Sequence, residues 1–224
     1  MKAIFTDLWK FLTFRADQKD YERFGLWHFA VGFCFTWMVG ILRNWDFPEA
    51  PIWAKLGLGS LVYIFLLTSV MWVSNALQGY ENLSFTRILT VISMTAPPAV
   101  IYGIPVEAFM SLEGAQYANL CFLCIVALWR VTLFVHFLCV AGGNFFGRAM
   151  LVVFAPICLI ALGLLSTGRI KYTIDLMGGL NRQPSGPNDA ADALLLTLGF
   201  LSVPGLLMAI VALIVDRIRG QVDD

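Results

Sequence analysis

The chain has 224 residues, 59% of them hydrophobic and 13% charged, with a mean hydropathy of +0.77. Lys and Arg balance Asp and Glu at 15 each, so the net charge is zero and no basic surface is available for nucleic acid. So little charge cannot cover a soluble domain of this length, and the apolar residues come in long blocks; both specify an all-α polytopic membrane helix bundle.

The first stretch, "MKAIFTDLWKFLTF", places Ile4, Phe5, Leu8, Trp9 and Leu12 on one helical face, with Lys2, Asp7 and Lys10 largely elsewhere. It reads as an N-terminal amphipathic helix lying in the membrane interface, or alternatively as a helix packed on the bundle's own loops. Residues 1–23 carry no apolar stretch ending in a small-residue cleavage site, so the first spanning helix is expected to act as its own insertion signal.

Six transmembrane helices are expected, over roughly 24–42, 56–78, 86–104, 117–140, 149–166 and 191–215. The organisation is then a 1–23 interfacial segment, a 24–215 transmembrane domain with an outer loop at 167–190, and a 216–224 tail. Trp27, Trp45, Trp53, Tyr80, Tyr102 and Tyr117 sit near span ends, as an interfacial belt predicts. Nine basic residues (Lys2, Lys10, Arg15, Lys19, Arg23, Arg87, Arg148, Arg217, Arg219) fall on one side and five (Arg43, Lys55, Arg169, Lys171, Arg182) on the other. The positive-inside rule then puts both termini in the cytoplasm, in a bacterial-type inner membrane.

The third span is unusual because it carries Pro97, Pro98 and Pro105 and ends on Glu107. Proline removes a helical hydrogen bond and clashes with the preceding turn, at about 3 kcal/mol in water. Ser93 and Thr95 hydroxyls are candidates to satisfy the freed carbonyls. The segment is expected to be a kinked packing element, or alternatively a broken helix of the sort from which transporters build sites.

Arg130 lies within the fourth span, where an arginine is disfavoured by about 2.5–3.5 kcal/mol. No carboxylate sits at a comparable depth in another span. Its expected partners are freed carbonyls, hydroxyls such as Thr68, Ser69 or Ser93, or a lipid phosphate.

The outer loops gather Asp46, Glu49, Glu107 and Asp175 near Arg43 and Lys171. Such a cluster suits a polar headgroup, a cation or a peptide, and it equally suits ordinary loop polarity. His28 and His136 at similar depth invite a haem, and Cys121 with Cys124 a thiol pair, but neither signal has a supporting partner. No Walker loop, zinc-protease or dinucleotide signature occurs, so no cofactor or catalytic residue is implied.

The stretches "LSFTRILTVISMTAPPAVIYGIPV" and "LWRVTLFVHFLCVAGGNFFGRAMLVV" resemble bacterial Yip1-type (Yip1-domain) integral membrane proteins, over about residues 60–165. "DLMGG" (Asp175 to Gly179) echoes that family's acidic element, but in a different place. The resemblance implies a membrane protein without known catalytic residues, linked in eukaryotes to vesicle trafficking and small-GTPase partners.

Three functions follow as expectations. The first is a non-enzymatic membrane protein that binds protein partners or lipids. The second is a small transporter or channel-like protein using the broken third span, Arg130 and Glu107. The third is an enzyme acting on lipids through Asp46, Glu49 and Glu107.

Overall fold

A computed structural model of the protein describes residues 2–42, 52–78, 83–143 and 146–166, with the isolated helical positions Leu207, Val211, Ile214 and Val215. Every regular element among them is helical. An N-terminal pair, α1 (Lys2–Leu12) and α2 (Gln18–Glu22), precedes α3 (Leu26–Leu42) and the single turn α4 (Ile52–Lys55). There follow α5 (Leu58–Leu77), α6 (Phe85–Met94), two 3-10 stretches (Pro97–Gly103 and Val106–Ala108), α7 (Leu112–Ala141) and α8 (Phe146–Ser166).

Local chemistry sets several of these boundaries. Asp17 and Asp20 form a reciprocal capping box that starts α2: the Asp20 amide donates to Asp17 Oδ1 at 2.8 Å and the Asp17 amide to Asp20 Oδ2 at 3.1 Å. Ser84 caps α6, and Ser111 caps α7 by accepting the Gly114 amide at 3.3 Å. That cap, with Glu113 in the first turn, starts α7 five residues before the expected 117. Gly57, at φ 70°, turns the chain into α5 beside Gly40 of α3.

α6 is the centre of the bundle. From Ile88 to Met94 it is buried all round, with α3 making its most extensive contact and α5 the next. The main core joins α6 to Leu8, Phe11, Tyr21, Phe24, Phe137 and Val152. A smaller core of Val39, Ala99 and Val126 closes the opposite end.

Two helices are long and apolar enough to cross a bilayer, Leu58–Leu77 and Glu113–Ala141. A third is added if Phe85–Met94 and Pro97–Ala108, bent by 41°, form one broken span. The described residues thus show two or three candidate spans and not the six expected from hydropathy. α3 has 17 residues, about 26 Å at 1.5 Å per residue, short of a hydrocarbon core of about 30 Å. α8 has Pro156 inside it, and the sixth expected segment lies outside the described residues apart from the four isolated positions.

Candidate functional site

The N-terminal pair is fastened to the bundle by charge as well as by packing. Leu8 and Phe11 enter the core, while Phe5 and Trp9 stay exposed. The apolar arc of α1 is therefore divided between the bundle and the surroundings. Asp7 and Asp20 are buried beneath it, only 6% and 2% exposed. Arg23 donates to Asp7 Oδ1 at 2.7 Å and also pairs with Asp20, and Lys10 Nζ reaches Asp20 Oδ1 at 3.0 Å. Two buried carboxylates thus face two cations that remain half-exposed, which keeps the cluster satisfied without full desolvation.

Burial opposes the charge on Asp20. The Asp17 amide, Lys10 and Arg23 together outweigh that and hold its carboxyl below the ordinary carboxylate range. On the other side of Asp7, His28 Nδ1 accepts the Gly25 amide at 3.3 Å. That leaves Nε2 to carry the proton donated to Asp7 Oδ2, also at 3.3 Å. Phe24 stacks on the His28 ring at 5.0 Å.

Two further contacts tie this platform to α7. Tyr21 Oη lies 2.8 Å from His136 Nδ1, and Trp129 Nε1 donates to the Leu12 carbonyl at 3.1 Å. Burial, and then the Asp20 charge, push the Tyr21 phenol above its ordinary value, so its hydroxyl is the natural donor. Between α1 and α2, Phe14 takes a left-handed φ of 60°, a conformation that costs a non-glycine residue about 1–2 kcal/mol. Its ring meets His136 edge-on at 6.0 Å.

The second place of interest is the break after α6. Pro97 and Pro98 cannot donate to the carbonyls one turn back, and the Ser93 carbonyl accepts the Ala96 amide at 3.1 Å instead. The hydroxyls of Ser93 and Thr95 turn to Thr90 and Ile92, at 2.8 and 2.6 Å. Thr95 is also the partner of Arg130, whose Nε donates to Oγ1 at 3.0 Å. The Tyr63 ring lies 6.0 Å from the guanidinium carbon. The hydroxyls considered from sequence are used elsewhere, Thr68 bonding the Ile64 carbonyl and Ser69 that of Phe65.

Glu107 is not part of this place. It is exposed and accepts from Asn119 Nδ2 at 2.8 Å. Asn119 is eleven residues before Arg130 on the same helix, so about 16 Å away along its axis. A site built jointly from Glu107 and Arg130 is therefore not formed here. Pro97 and Pro98 open the first 3-10 stretch and Pro105 precedes the second, so the segment is discontinuous. Arg43, Asp46, Glu49, Lys171 and Asp175 lie outside the described residues.

No family model, no curated protein and no solved structure matches this chain.

The site therefore rests on its own geometry. Sequence reading missed the Asp7–Lys10–Asp20–Arg23–His28 cluster. One signal was present: Asp17 and Asp20 have the spacing of a capping box, a start signal for a helix before residue 24. The burial of Asp7 had no such signal, because it depends on His28 and Arg23 arriving from across a turn. Among the described residues no group of three potential metal ligands occurs. His28 and His136 have separate partners, Asp7 and Tyr21.

Proposed function

We propose that this chain is an integral membrane protein that works by binding protein partners or lipids, with α1 and α2 as a fixed recognition platform. In this reading it resides in a bacterial inner membrane with both termini cytoplasmic. α3, α8 and the 191–215 segment complete the spans. One observation carries it: a buried, ion-paired cluster locks α1 to the bundle while Phe5, Trp9, Leu26 and Trp27 stay exposed around it. An α1 that served only to cover the core would bury Phe5 and Trp9. Aromatic and apolar side chains flanked by Lys2, Arg15 and Arg23 are suited to a membrane interface or a partner helix. The resemblance to Yip1-type proteins agrees with a binding role.

A photo-crosslinking amino acid placed at Trp9 or Trp27 in native membranes tests this. Defined adducts to a polypeptide or lipid at both positions, and none at Glu107, are expected. Absence of platform adducts from folded protein would overturn it. The 41° bend after α6 favours transport as a second reading. That reading expects substrate flux in vesicles to fall at least tenfold in Arg130→Gln, and unchanged flux would remove it.

A further inference from the structure

Arg130 is left with more donors than the described protein uses. A guanidinium has five N–H groups. Here Nε goes to Thr95, and among the described residues no ion pair or other hydrogen bond is made by Arg130. Thr95 holds the group in place, since its own proton is committed to the Ile92 carbonyl and its oxygen is free to accept. The Tyr63 ring flanks the guanidinium carbon at 6.0 Å, so the planar fork is oriented, and among the described residues its two terminal nitrogens have no partner.

The surroundings say from where a partner would come. Arg130 is half-buried on a helix apolar enough to cross a bilayer. Val62 and Leu66, which flank Tyr63 along α5, and Leu128, two positions before Arg130 on α7, are among the most exposed apolar side chains, at 58%, 62% and 70%. An anion arriving here travels along apolar surface, and it carries apolar chains to cover that surface. A guanidinium fork binds phosphate oxygens two at a time.

We propose that Arg130, positioned by Thr95 and Tyr63 at the break after α6, holds the phosphate of one anionic phospholipid whose chains lie on α5 and α7. This deepens the binding reading above and rests on it, but through residues other than the exposed rings of α1, one position along α7 from the Trp129 that bonds Leu12. The phosphate satisfies the fork.

Native mass spectrometry of the full chain, released into mild detergent and titrated with phosphatidylglycerol or phosphatidylcholine, is the test. Wild-type protein is expected to retain one phosphatidylglycerol and to prefer it at least tenfold over phosphatidylcholine. Arg130→Gln should abolish that preference, Arg130→Lys should keep part of it, and Thr95→Val should weaken it several-fold. Equal retention by folded Arg130→Gln overturns the proposal, as does equal retention of the two lipids by wild type. Displacement of the lipid by millimolar inorganic phosphate overturns the lipid assignment in favour of a soluble phosphate. Should Arg130→Gln fail to fold, unchanged lipid preference in both Arg130→Lys and Thr95→Val overturns it. Loss of this preference with platform crosslinks intact, or the reverse, tells which of the two readings has failed.

Discussion

At the scale of single residues, the most informative group is Asp20. It is 2% exposed, yet it is charged because one amide and two cations meet it. Its folded carboxyl titrates below the ordinary value, so as pH falls the unfolded chain takes up the proton first. The stabilisation is complete above the unfolded carboxylate range, near pH 3.9, and drains away as pH drops through and below that range. Hydrogen-exchange protection over residues 2–22, taken relative to the intrinsic rate at each pH, should therefore hold from neutral pH down to about pH 5 and fall only below about pH 4. Asp20→Asn should loosen the platform by about 1–2 kcal/mol at neutral pH, since Lys10 and Arg23 can rehydrate. It should also flatten the acid dependence. An unchanged acid profile in that variant would mean that another carboxylate holds α1.

At the scale of elements, α3 comes closest to α6 at its C-terminal end, just before the break. A Cβ on Gly32 would lie 2.7 Å from the Met94 amide nitrogen and the Ser93 carbonyl carbon, which are backbone atoms that cannot swing aside. Gly32→Ala should destabilise the bundle by about 1–3 kcal/mol, the range for overpacking a dense core. Thermal unfolding in detergent measures it. Gly163→Ala is the control: nothing lies within 4 Å of its Cβ, and a helix gains about 0.5–1 kcal/mol from the change. Equal effects at the two positions would show that α3 and α6 are not pressed together at Gly32.

The same scale shows which elements could be read in advance. The helices α5 and α7 were legible because each is a long apolar run, enough to cross a bilayer, and hydropathy reports that directly. The break after α6 was legible from adjacent prolines, whose missing amides act locally. The partner of Arg130 was not, since Thr95 meets it only after the break has set the angle between α6 and the following 3-10 stretch. Likewise Phe11 and Trp9 are neighbours on one amphipathic helix, and only the bundle decides that the first is buried and the second exposed.

At the scale of the whole molecule, the number of crossings is the open measurement. With six spans, the 167–190 segment faces outward and the C-terminus inward. Ser185→Cys should then react with an impermeant maleimide in intact cells, and Asp224→Cys only after permeabilisation. Protection of both would remove the last crossing and bring the number towards the two or three that length and composition support, whereas the reverse would overturn the proposed orientation. Native cysteines lie on helices at Cys34, Cys121, Cys124, Cys139 and Cys158 and are replaced first.

By itself the sequence determined the class: a chain this apolar and this weakly charged forms helices, some of them long and apolar enough to cross a bilayer, where backbone groups must be satisfied within each segment. It also determined where one helix breaks, because proline acts on its own turn. Tertiary structure alone decided which polar groups matter. Asp7 is an ordinary residue until Arg23 and His28 reach it from beyond α1, and Arg130, conspicuous in the sequence, acquires its partner only when Thr95 comes to it from the end of α6. Hydrophobicity and proline are properties of a residue and its neighbours along the chain, whereas the state of a buried charge is a property of whatever packs across from it.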